Sequence, residues 1–170
     1  MVKNTLPFLL FLGIVAPLSA TADDSLVKFK GGIGVIPVSS APGPAPTAAT
    51  VNRNIVRGVQ PPGQPWVISD LKADIKADGS ISVDGRGLLL AGGNGIGGNA
   101  NARVFATLIC EAAAPFTERN TTLTGVALAP DGDFRIDDVL TPAPTDCASP
   151  VLLIRNAANQ SWFAAGIPKQ

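Results

Sequence analysis

The stretch Asp70-Leu71-Lys72-Ala73-Asp74-Ile75-Lys76-Ala77-Asp78-Gly79-Ser80-Ile81-Ser82-Val83-Asp84 decides the fold class. Leu71, Ala73 and Ile75 fall on one parity, and Asp70, Lys72, Asp74, Lys76 and Asp78 on the other. Strict period-2 alternation describes a strand with one buried face. A helix would stack Asp70, Asp74 and Asp78 on one side, where like charges repel, and Asp is a poor helix former. Ala77-Asp78-Gly79 predicts a type I turn with Gly79 in the left-handed conformation. Ile81 and Val83 then continue the inward face.

The same device recurs further along. Leu128-Ala129-Pro130-Asp131-Gly132-Asp133-Phe134-Arg135-Ile136-Asp137 aligns on its Asp-Gly with Ile75–Asp84, and the apolar positions coincide. Two hairpins of one construction are expected, either as an internal repeat or because such turns demand these residues. Around them, Val27 and Phe29 mark a strand over 26–30, broken by Gly31-Gly32, with 33–38 pairing back. Residues 37–50, rich in Pro, Ala, Ser and Thr, read as a surface loop unable to sustain a hydrogen-bond ladder. Val51–Val59 leans to strand, and Pro61-Pro62-Gly63-Gln64-Pro65 is a stop signal. Further apolar runs at 88–91, 103–110, 151–154 and 162–167 have strand length, with a turn at 156–160. The expected fold is all-β: a single β-sandwich or flattened barrel of about eight to ten short antiparallel strands.

The amino terminus reads as a secretory signal peptide over residues 1–22. Lys3 is a short positive region, Leu6–Leu18 is apolar, and Ala20-Thr21-Ala22 puts small residues at the cleavage point. That apolar run is shorter than the roughly 20 residues a membrane span needs. Residues 23–170 would then form one secreted or periplasmic domain. Export matches the cysteine usage: Cys110 and Cys147 are the only two and are expected to form a disulfide. Closing that loop stabilises by roughly 4 kcal/mol in the chain-entropy model.

Composition excludes several chemistries. The chain has no His, which removes Ser-His-Asp and Cys-His nucleophile systems and histidine metal sites. Lys+Arg and Asp+Glu are both 13, and charged residues make up only 15%. That balance argues against a nucleic-acid partner.

Motifs supply the candidate sites. Gly92–Ala100 contains Gly95-x-Gly97-x-x-Ala100, the spacing of a dinucleotide loop, but the next segment, 101–110, reads as a strand rather than the helix that chemistry needs. Gly93, Asn94, Gly95 and Gly97 are instead a candidate exposed binding loop. Asp131 and Asp133, near Asp137 and Asp138, are the candidate calcium pair, without the spacing of an EF-hand. Two carboxylates could serve as acid and base in sugar hydrolysis, but Glu111 and Glu118 are the only glutamates and the Asp residues are accounted for by turns and alternation, so no catalytic residue is assigned. Trp66 and Trp162 could stack on a sugar or pack in the core. Arg53, Arg57 and Arg86 read as solvated surface. Asn120-Thr121-Thr122 and Asn159-Gln160-Ser161 are glycosylation triplets. Gly32-Ile33-Gly34-Val35-Ile36-Pro37-Val38 resembles the opening of chordin-like secreted β domains; the histidine-bearing strand of that family has no counterpart here, and no residue role carries over.

The expected function is a non-enzymatic exported module for surface association or recognition of a protein or surface ligand, with no cofactor and no membrane span. The alternatives are a structural envelope or matrix protein acting by self-association, and an Asp-based or metal-assisted hydrolase.

Overall fold

A computed structural model describes residues 24–42 and 48–169. The proposed signal peptide and the tip of the Pro-rich segment, residues 43–47, lie outside them. The described chain is all strand and turn. Asp70–Lys76 and Ser80–Arg86 form the expected hairpin, with Ile75 opposite Ile81 and Ala73 opposite Val83. Leu71, Ala73, Ile75, Ile81 and Val83 are buried, as the alternation requires. Gly79 takes φ +90°, its N–H reaching Lys76 O at 3.0 Å.

In chain order the strands are β1 (Ser25–Gly34), β2 (Val38–Pro42), β3 (Ala48–Arg53), β4 (Trp66–Val67), β5 (Asp70–Lys76), β6 (Ser80–Arg86), β7 (Leu89–Leu90), β8 (Arg103–Ile109), β9 (Arg119–Asn120), β10 (Val126–Ala127), β11 (Phe134–Val139), β12 (Val151–Asn156) and β13 (Trp162–Pro168). The main sheet runs β10-β8-β12-β13-β1-β5-β6-β11, every pair antiparallel. Its two end strands, β10 and β11, lie alongside each other, so the sheet curls into a nearly closed barrel. Of the two expected architectures, the barrel is the one formed. Closure is made by a bridge rather than a ladder: Asn120 and Thr141 exchange N–H···O bonds of 3.0 and 2.9 Å. β9, paired to β8, and β10 are two fragments of one interrupted stave.

β8 and β12 are buried on both faces, which explains their continuous apolar sequence. One face fills the barrel with Val104, Ala106, Leu108, Leu152 and Ile154. The other carries Phe105, Thr107, Leu153 and Arg155. Against it lie the irregular segments 54–62 and 111–118: Trp162 Nε1 donates to Asn54 O at 2.9 Å, and Arg155 pairs with Glu118 at 2.6 Å.

Three local expectations need correction. Gly31-Gly32 does not end β1 but makes a bulge in it: Phe29 pairs Pro168 and Gly32 pairs Gly166, leaving one extra residue, with Gly31 at φ +92°. Residues 33 and 34 therefore continue along β13 instead of turning back. Residues 37–50 are not all loop, because β2 and β3 pair from Val38–Arg53 to Pro42–Ala48 in a small hairpin. Finally, the turn at Asp131-Gly132 repeats that at Asp78-Gly79, but its two arms form no ladder. Leu128 N–H donates to Ala102 O at 3.0 Å, and β10 pairs β8 instead of β11.

Candidate functional site

Trp66, brought across β1 by the short β4–β7 pair, stacks on Phe163 of β13 with ring centroids 3.9 Å apart and planes 13° from parallel. Both rings are buried in the core and line a groove of about 600 Å³ at one end of the barrel. One wall is Ala100–Arg103, directly after the glycine loop. Thr124 and the turn Asn156–Ala158 form the others. Ala100 and Asn101 have φ of +51° and +49°, two consecutive non-glycine residues in the left-handed region. Such strain persists only where surrounding structure enforces it. Here Asn99 enforces it: its Oδ1 accepts Asn101 N–H at 3.0 Å, and its Nδ2 donates to Leu128 O and Ala129 O at 3.2 and 2.9 Å.

The groove is electrically quiet. Among the described residues Arg103 is the only charged one lining it, and its guanidinium already donates to Thr124 O and Gly125 O. The Asn156 carboxamide oxygen accepts Ala158 N–H at 3.0 Å, and Ala157 N–H reaches Arg103 O at 2.9 Å. The result is an apolar floor, an amide-bearing rim and no carboxylate, a surface suited to an uncharged ligand.

Gly93, Asn94, Gly95 and Gly97 do not line this groove. Their loop folds back on β7, with Gly97 N–H donating to Leu90 O at 2.8 Å and Leu90 N–H to Gly98 O at 2.9 Å. The loop leads into β8, not into a helix. Only its exit, residues 100–102, reaches the site. The sequence signal for that exit is Asn99-Ala100-Asn101, since Asn tolerates the left-handed region and caps local turns.

The other candidates are tied up elsewhere. Asp131 Oδ1 accepts Asp133 N–H at 3.1 Å, and Asp133 Oδ1 accepts Gly87 N–H at 3.0 Å. Among the described residues no three His, Cys, Asp or Glu side chains converge as a metal would need. Glu118 faces Arg155, and Glu111 faces Arg119 at 3.0 Å. Burial alone would push the Glu111 carboxyl up, but the N–H groups of Thr117 and Glu111 and the Arg119 guanidinium hold it at about 2.

Arg53, Arg57 and Arg86 have separate partners, and Arg57 is not solvated surface. At φ +47°, it points its guanidinium at Ile109 O, Glu111 O, Ser149 O and Ser149 Oγ, with the Phe116 ring 5.8 Å away. It clamps the outer segments to the Cys110–Cys147 disulfide, whose Cα atoms are 4.4 Å apart. Trp162 is core, and Asn120 is occupied by Thr107 Oγ1 at 2.6 Å.

No family model, curated protein or solved structure matches the chain, so the seven-residue likeness at 32–38 assigns no family. Among the described residues, no helix is long and apolar enough to cross a membrane. The disulfide is of a kind that persists in oxidising compartments.

Proposed function

We propose that the protein is an exported, non-enzymatic recognition module whose barrel-end groove takes an uncharged ligand with an apolar face, such as a neutral sugar. The observation that carries this reading is the groove itself: the stacked Trp66 and Phe163 among its lining residues, Asn101 and Asn156 at the rim, and one cation already committed to backbone carbonyls. Sugars present the matching combination of an apolar ring face and hydrogen-bonding edges. Export is supported by the Leu6–Leu18 pattern and the disulfide.

The test is titration with neutral oligosaccharides, monitored by tryptophan fluorescence and by backbone amide shifts at Asn101 and Asn156. Saturable changes are expected, and Ala158→Arg, which fills the groove from an exposed position, removes them without lowering the melting temperature. Groove amides that stay still across the panel would refute the reading.

Self-association is a second reading, favoured by one observation. Ile36, Val38 and Ile55 are 69%, 43% and 48% exposed around a depression of about 400 Å³ at the foot of the β2–β3 hairpin. Concentration-dependent mass by light scattering, abolished by Ile36→Glu, would support it; a constant monomer mass would exclude it.

A further inference from the structure

The chain holds six lysines. Four of them, Lys28, Lys30, Lys72 and Lys169, line one saddle of about 320 Å³ on the outer face of β1 and β5, far in sequence from the groove walls. The arginines do not compete for this role. Arg57, Arg103, Arg119 and Arg155 are spent on carbonyls and carboxylates within the fold.

Cross-strand register shows why the saddle is unusual. On this face Lys28 lies opposite Asp74, Lys72 opposite Asp84, and Asp84 opposite Arg135, so signs alternate across the sheet. Lys30 opposite Lys72 breaks the rule. Like charges directly across an antiparallel pair are destabilising. Lys28 is shared with Asp74 at 3.9 Å and Lys72 with Asp70 at 3.4 Å, while Lys30 and Lys169 have no ion pair among the described residues. Lys169 is held in place from its backbone, its N–H donating to Lys28 O at 2.8 Å. Asp74 thus holds Lys28 and Asp70 holds Lys72, so Lys30 and Lys169 are the two ammonium groups of the saddle with no ion pair among the described residues.

We propose that this saddle is an anion site that binds phosphate in its doubly charged form, free or as a monoester, between Lys30 and Lys72 with Lys28 and Lys169 flanking it. The ligand's two negative charges match the two ammonium groups, Lys30 and Lys169, that have no ion pair among the described residues, and ammonium groups are point donors to phosphate oxygens. Binding also relieves the Lys30–Lys72 repulsion.

The experiment titrates inorganic phosphate, and separately glycerol phosphate, into the protein at constant ionic strength against chloride, reading backbone amides. Saturable shifts at Lys30, Lys72 and Ala73 are expected. Lys30→Gln/Lys72→Gln should weaken binding at least about tenfold, which is roughly 1.4 kcal/mol, whereas Lys76→Gln, outside the saddle, leaves it unchanged. Without phosphate the double variant should melt at or above wild type, since it loses a repulsive pair. Equal affinity for both probes assigns the site to the phosphate group alone; tighter glycerol phosphate assigns it to an ester. Shifts that fail to saturate, or a double variant that binds like wild type, would overturn the proposal.

Discussion

At Lys76–Ser80 and again at Ala129–Asp133 the chain makes one turn twice. In each, the glycine N–H returns to the carbonyl three residues back, and an Asp carboxylate accepts the N–H two residues on. The arms of the two turns differ. The first turn opens into two seven-residue strands fully paired to each other. Each turn's glycine carbonyl takes one remote N–H, Leu140 on Gly79 at 2.8 Å and Leu88 on Gly132 at 3.0 Å, but only the second is further bound: Asp133 caps Gly87, and Asn99 takes the carbonyls of Leu128 and Ala129. Its incoming strand is lost to β8, and the barrel's seam is left there. A local turn signal thus sets the reversal of the chain, while tertiary partners decide whether the arms pair.

The covalent link separates the two turns most strongly. Cys110 and Cys147, 37 residues apart, enclose the second turn and leave the first outside. Replacing both with Ser should cost about 4 kcal/mol in the chain-entropy model. Hydrogen exchange should show β9–β11 losing protection well before β5–β6; uniform loss would break the distinction.

Next in size are the turn glycines. A Cβ on Gly132 would meet Leu88 backbone atoms at 2.6 Å, in addition to the strain of φ +84°. On Gly79 it would meet Leu140 O and Ala143 at 3.2 Å, at φ +90°. Gly132→Ala should therefore cost about 3 kcal/mol and Gly79→Ala about 1–2, measured by denaturant unfolding. Equal costs would mean that the docking of the second turn contributes nothing.

Acid should produce the smallest separation. At the seam, burial would raise the Asp138 carboxyl, but N–H donors of Thr122 and Val139 outweigh it and the group sits below its ordinary range. Glu111, at about 2 against an ordinary 4.5, behaves likewise. A carboxyl lowered by folding contributes stability above its unfolded value, and that contribution disappears as pH falls through the folded one. Unfolding free energy should thus decline from about pH 4.5 toward 2, with Thr122 and Val139 amides exposed first. Glu111→Gln should flatten the decline, and an unchanged slope would remove Glu111 as its source.

The legible parts of this molecule are those written in short-range pattern. Alternation reveals β5 and β6, apolar runs reveal β8, β12 and β13, and the cysteine pair announces its own link. Hidden parts depend on partners remote in sequence. Nothing near Arg57 announces that its guanidinium will find Ile109 O and Ser149, which lie 52 and 92 residues away. The groove is hidden for the same reason, because Trp66, Asn101 and Asn156 meet only once β4, β8 and β12 are in place. Lys28 and Lys30 announce one polar face, but their meeting with Lys72 and Lys169 requires the register of three strands. The bulge at Gly31 is illegible because a glycine pair ends a strand or kinks it with the same letters.

The entry and exit strands of the described fold run side by side, with Phe29 opposite Pro168 and Lys169 bonded to Lys28. A short glycine-rich linker from Lys169 to Asp24 would therefore turn the chain into a ring, which could be reopened at Asp78-Gly79 with every barrel stave retained. Circular permutants of this kind would carry cargo at the barrel end opposite the groove, on a hairpin tip that lies beside Asp24, which pairs with Lys76 at 3.2 Å.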